Sequence, residues 1–153
     1  MAEFEFQEDD DELFGAFGDQ PIVTLAKTFG SAVNGIDALT VTVEVSVGRG
    51  AKTFLVGLPD KAVQESMQRI EAALKYCGYR MSRKRTVINL APADIRKEGS
   101  AYDLPIAIGI LAATNQLDGA QLSRYIIMGE LSLDGTLQPI KGALPIAIQA
   151  REE

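Results

Sequence analysis

The sequence has no histidine, no tryptophan and a single cysteine, Cys77, in 153 residues. One thiol cannot close an internal disulfide, and structural zinc sites draw on several Cys or His ligands, so both kinds of staple are excluded. Without histidine, Ser-His-Asp and Cys-His catalysis are excluded as well. A hydrolase built from this chain would need carboxylates, a Ser-Lys pair or a metal held by oxygen. Long apolar runs are also missing. The longest extend about eight to ten residues, against the roughly 20 of a membrane-spanning helix. No basic, apolar, small-residue signal opens the chain. The expectation is a cytoplasmic protein with no membrane partner. Its 46% hydrophobic content and its length suit one domain with its own core.

Positive charge is absent from the beginning. Residues 1–19 hold eight acids (Glu3, Glu5, Glu8, Asp9, Asp10, Asp11, Glu12, Asp19) and no base, which leaves 13 acids against 15 bases in the rest. The formal charge of −6 therefore belongs to a tail on a nearly neutral body. Residues 1–24 read as an acidic disordered leader or tag, because like charges repel and glycines discourage a helix. Leu13, Phe14 and Phe17 leave open an acidic-aromatic interaction peptide that recruits a basic partner.

Residues 25–153 read as one folded domain. Residues 39–47 alternate strictly, with Val41, Val43, Val45 and Val47 on one face and Thr40, Thr42, Glu44 and Ser46 on the other, the period of a half-buried strand. Gly48-Arg49-Gly50 punctuates it, and residues 52–58 read as the returning strand of a hairpin. Asp60 is placed to cap a helix over 61–76, whose Val63, Met67, Ile70 and Leu74 recur at three- and four-residue steps before Gly78. Residues 85–90 predict a short strand. Residues 102–116 predict a buried helix with Pro105 in its first turn, and 125–131 another buried strand. Asp134-Gly135 signals a two-residue hairpin turn. Gly142 opens a last helix, which reads as cut short at Glu153. The pattern predicts a two-layer α/β (α+β) domain.

No stretch matches the phosphate-cradling GxxxxGK[ST] or GxGxxG. The densest positive run is Arg80, Arg83, Lys84 and Arg85. It reads either as a DNA-contacting patch, each neutralised phosphate releasing counterions, or as a solvated loop. Arg96 and Lys97 are the next candidates for DNA contact. The segment from Asp94 to Asp103 places charges, Gly99 and Ser100 directly before the buried helix. It could hold an anion on backbone N–H groups, or it could be capping by Ser100 or Asp103 with ion pairs in the loop.

Five blocks carry a family resemblance: KTFGSAVNGIDAL, VTVEVSVGRG, VGLPDKAVQESMQRIEAALKYCGYR, VINLAPADIRKEGSAYDLPIAIGILAA and YIIMGELSLDGTLQPIKGALPIAIQAREE. In this order they resemble the start of the ComM/YifB family of magnesium-chelatase-like AAA+ ATPases, over roughly residues 25–153. The resemblance implies the fold of the second domain of ribosomal protein S5, shared with the proteolytic domain of Lon. It implies that this domain precedes an AAA+ module, where ATP and magnesium belong, so that no cofactor and no metal is expected in this chain. In that family the whole forms a homo-oligomeric ring, implicated in natural transformation as a DNA branch-migration helicase. A role in ring assembly or DNA contact follows. A magnesium chelatase-related subunit is the alternative that the family name raises.

The same resemblance tests the protease site. Lon-type enzymes set a serine in K-D-G-P-S-A-G and take its proton with a lysine. Here the stretch is Lys97-Glu98-Gly99-Ser100-Ala101-Tyr102-Asp103, and the nucleophile position falls on Ala101. In the block from Gly129 to Leu144 the lysine position falls on Leu144. Neither side chain can transfer a proton, so no catalytic residue is expected, and Lys97, Glu98, Gly99, Ser100 and Asp103 read as structuring the loop. A rearranged Ser100–Lys141 peptidase pair is the remaining enzymatic alternative.

Overall fold

The computed structural model describes residues 23–153, so the expected disordered leader lies outside the described residues except for Val23 and Thr24. Strand β1 spans Thr24–Asn34 and pairs antiparallel with β2, Asp37–Gly48. Then come β3 (Thr53–Val56), the short helix α1 (Lys61–Gln64), α2 (Ser66–Tyr76), β4 (Arg85–Ala91) and α3 (Asp103–Ala113). The ribbon β5 (Glu130–Leu131) and β6 (Leu137–Gln138) precedes α4, Ala143–Glu152. The main sheet runs β1-β2-β4-β3. It forms one layer and α2 and α3 the other: a two-layer α+β fold, as the pattern predicts.

The alternation in β2 sets this arrangement. Val41, Val43 and Val45 are fully buried, each contributing about 1.5–3 kcal/mol by burial. Ile88 and Leu90 of β4 share their face, and Ile106 and Ile110 of α3 close over it. Gly109 lets α3 approach, since a Cβ there would meet Val45 Cγ2 at 2.7 Å. Helix α4 lies against the opposite face at one end, where Ser31 donates to Gln149, and Gln149 to Thr40.

Three local expectations change. Residues 53–56 do not return beside β2: β4 takes that place, antiparallel from Gly48↔Arg85 to Thr42↔Ala91, and β3 adds outside β4 in parallel. Ile88 and Leu90 supply the buried face that a central position needs, whereas β3 has no fully buried residue. Residues 125–131 form a strand only at Glu130–Leu131, and Tyr125 is exposed. The Asp134-Gly135 hairpin exists with a longer loop. Gly135 N donates to Ser132 O and Ser132 N to Thr136 O, with Gly135 at φ +87°, a type I turn followed by a left-handed residue.

The predicted Asp60 cap is present. Its Oδ1 accepts from Val63 N at 2.8 Å. The helix it starts is interrupted at Glu65 and ends before Gly78, whose φ is +88°.

Candidate functional site

The loop between β4 and α3 is bound to the turn after β3 by a buried lysine. The Nζ of Lys97 donates to the carbonyls of Gly57, at 2.8 Å, and of Pro92. Its backbone N–H donates to Leu58 O and its carbonyl accepts from Asp60 N. Asp60 Oδ2 in turn accepts from Gly99 N at 3.1 Å. Gly57 is required here, because it sits at φ +109° and a Cβ would lie 2.1 Å from Leu90 O. Lys97 has no solvent exposure. Burial lowers its pKa from the usual lysine range, with Asp94 opposing. A group so enclosed cannot meet a phosphate, so the expectation that Lys97 contacts DNA is corrected: it is a tie between two loops. Arg96 and Glu98 are exposed and pair with one another at 3.3 Å.

Asp103 is also fully buried, and it does not cap its helix. It accepts from Arg69 Nε at 2.7 Å and Nη2 at 2.9 Å, and from Leu131 N at 3.0 Å. It thus fastens α2, α3 and β5 together. The hydrogen bond to Asp103 raises the Arg69 pKa further above its ordinary value against the effect of burial, aided by the charges of Asp103, Glu130 and Glu65. Ser100 does not cap the helix either: its carbonyl accepts from Asp103 N, and Tyr102 is the capping residue. The hydroxyl of Tyr102 donates to Ser31 O at 3.0 Å. Burial, reinforced by the charges of Asp60 and Glu98, pushes that phenol up to about 12. Arg69 is a residue that sequence reasoning missed. Its partner stands 34 positions away, and only the repeating apolar face of α2 was legible.

At the two positions where the motif comparison sets the Lon-type serine and lysine, Ala101 is half-buried and Leu144 is 71% exposed at the start of α4. Lys141 is exposed, whereas a Ser-Lys mechanism needs a dry lysine. Among the described residues no hydrogen bond joins Ser100 to Lys141. Among the described residues no three His, Cys, Asp or Glu side chains gather as metal ligands, and the sequence has no phosphate loop.

The basic run lies at the opposite end of β4 from Lys97. Arg80, Arg83 and Lys84 are exposed and Arg85 is half-buried, its guanidinium 5.2 Å from the centroid of the Phe54 ring, within cation–π range. The pairing Gly48↔Arg85 brings Arg49 to this end, and Thr86 N donates to Lys52 O at 2.9 Å. Arg80 is held by two bonds to the Gln116 side chain, at 2.9 and 2.8 Å. Six cations therefore share one end of the sheet. Arg49 and Lys52 were not singled out from sequence, because only the strand register joins them to the run. Arg96 does not join them: β4 runs seven residues from Arg85 to Ala91, about 20 Å of strand. Among the described residues no helix is long and apolar enough to cross a membrane.

Comparison with known proteins adds the family. Residues 43–153 match the family model described as subunit ChlI of Mg-chelatase. Competence protein ComM of Haemophilus influenzae is 43% identical over 131 residues, which is 85% of this chain and 26% of that protein. Protein YifB of Escherichia coli is 44% identical over 120 residues, 78% of this chain and 24% of its own length. A Mycobacterium tuberculosis protein is 37% identical over 132 residues, again 26% of its length. The chain spans about a quarter of the length of these relatives.

Proposed function

Since the chain belongs to the family of the ChlI subunit of Mg-chelatase, with ComM and YifB among its relatives, we propose that it is a scaffold domain of a ComM-type ATPase: Lon-like in fold, without chemistry of its own, and in contact with DNA. The observation that carries the DNA contact is the gathering of Arg49, Lys52, Arg80, Arg83, Lys84 and Arg85 at one end of the sheet. A concentrated positive end attracts a phosphate backbone without reading its sequence, which suits a domain that hands DNA to a motor. The absence of chemistry is supported by Ala101 and Leu144 at the protease positions and by the missing phosphate loop. Branch migration, as proposed for the whole protein, would be driven by the ATPase module.

Arg83 and Lys84 are the residues to test, being exposed and adjacent. In fluorescence anisotropy with a labelled duplex, Arg83→Ala/Lys84→Ala is expected to bind about tenfold more weakly at low salt. Its log K against log salt plot flattens by about 1.8, or about 0.9 per lost phosphate contact. Binding and slope equal to the parent at every salt concentration would remove this end from the DNA path.

Assembly is the second reading, favoured by the apolar residues at the other end. Leu144 and Ile148 project from α4, and Val33 packs near Gly142 beside them; these three are 71%, 43% and 39% exposed. Leu144→Glu, at so exposed a position, leaves monomer stability within about 0.5 kcal/mol. In sedimentation velocity it shifts any self-associated chain toward the monomer. An unchanged sedimentation profile in a chain that does associate would discard this surface.

A further inference from the structure

Residues 1–19 hold eight carboxylates and no cation, and the fold fixes where that segment joins the body. The side chain of Val23 lies against Gly48, where an added Cβ would sit 3.4 Å from Val23 Cγ2. Gly48 stands directly across from Arg85 and is followed by Arg49. Thr24 Oγ1 donates to Ala113 O at 2.7 Å, at the end of α3 whose continuation holds Arg80 through Gln116. The chain therefore enters the sheet among the cations. Neighbouring strands lie about 4.8 Å apart, so Val23 and Arg85 are separated by about 10 Å. Chain length allows Asp19, four residues before Val23, to lie at most about 13 Å from it, and Glu12 at most about 36 Å.

We propose that the acidic leader, residues 1–22, is an intrachain occupant of the Arg80–Arg85 end that competes with a phosphate backbone for it. Two observations support this. The first is charge complementarity: eight acids in the leader against Arg49, Lys52, Arg80, Arg83, Lys84 and Arg85. The second is the tether, which holds the acids at an effective concentration on the order of millimolar. At that concentration a contact with an intrinsic Kd below about a millimolar is mostly occupied. The competition rests on the DNA-contact reading above, whereas the contact itself does not.

The experiment uses the full chain and a variant whose acidic run is neutral: Glu8→Gln, Asp9→Asn, Asp10→Asn, Asp11→Asn and Glu12→Gln. Amide NMR spectra are recorded without nucleic acid, and duplex binding by anisotropy, at about 50 and 200 mM salt. At the lower salt the two chains should differ in the amide shifts of residues 49–52 and 83–86, and the differences should shrink at the higher. The neutral chain should also bind the duplex about tenfold more tightly at low salt, with the gap closing as salt rises. Superimposable spectra at low salt would overturn the leader contact, whatever the duplex does. Shifts that respond while neither chain binds the duplex would uphold the contact and sink the DNA reading of that end.

Discussion

An Asp103→Ala chain is expected to be less stable by about 3–5 kcal/mol, the usual consequence of removing one member of a buried ion pair. Asp103 is fully buried and its carboxylate accepts three hydrogen bonds, two from Arg69 and one from Leu131 N. Alanine leaves the Leu131 N–H without its acceptor and Arg69 without its closest counter-charge. Glu65 stands 3.9 Å from the guanidinium, too far to replace a bidentate contact. The Arg69 side chain is 21% exposed, so some hydration is regained and the lower part of the range is the better expectation. In thermal unfolding the midpoint should drop on the order of 10 °C. Asp103→Asn keeps an acceptor for Leu131 N and should lose less. A double variant, Arg69→Met/Asp103→Leu, separates charge from geometry. It should recover part of the loss, because a neutral pair leaves no buried charge uncompensated, and the remainder measures the orphaned Leu131 N–H. A loss in the double variant equal to the sum of the losses in Arg69→Met and Asp103→Leu taken singly would mean that the pair is not coupled.

What the sequence revealed of this fold is what depends on neighbours along the chain. Val41, Val43, Val45 and Val47 alternate with polar residues, and one face of β2 is buried accordingly. Asp60 caps the helix it precedes because the cap needs only Val63, three residues on. Strand order was not legible. Gly48-Arg49-Gly50 turns the chain equally well into a hairpin or toward an edge strand, and the choice belongs to residues 85–91, which arrive later and carry the better buried face. The same limit governs the candidate site. Arg80, Arg83, Lys84 and Arg85 stand out as a run, while Arg49 and Lys52 reach them only through the register of β2 and the contact at Thr86. The expectation that Ala101 and Leu144 replace a Lon-type serine and lysine rests on motif alignment alone. Arg69 looked like an ordinary helix-surface cation, and its role depends on an aspartate on another helix.

Lys97 shows the same limit most clearly and gives the second large effect. Composition reads a lysine in a polar loop as surface, since its charged form is strongly hydrated. Here its position is set by carbonyls contributed from elsewhere, Gly57 forty residues before it and Pro92 five before it. Lys97→Met keeps much of the stem and removes the donors. Gly57 O then loses the bond that Lys97 Nζ supplied, and the cost is expected at about 2–4 kcal/mol in chemical denaturation. The pH dependence identifies the cause. Burial lowers the folded pKa of Lys97 from the ordinary lysine value of 10.5, with the charge of Asp94 opposing. Between that lowered value and 10.5 the unfolded chain binds more protons than the folded one, so stability attributable to this group rises with pH. Below the folded value both states are protonated and the difference is constant. The gap between parent and Lys97→Met should therefore widen as pH rises toward 10.5 and be flat at neutral pH. Duplex binding separates this role from the DNA-contact one that Lys97 was first assigned. At neutral pH, under conditions where the variant is folded, its salt slope should equal the parent's. A slope flattened by about 0.9 would return Lys97 to the phosphate path, and a stability gap that ignores pH would mean its amine is not the buried charge the geometry describes.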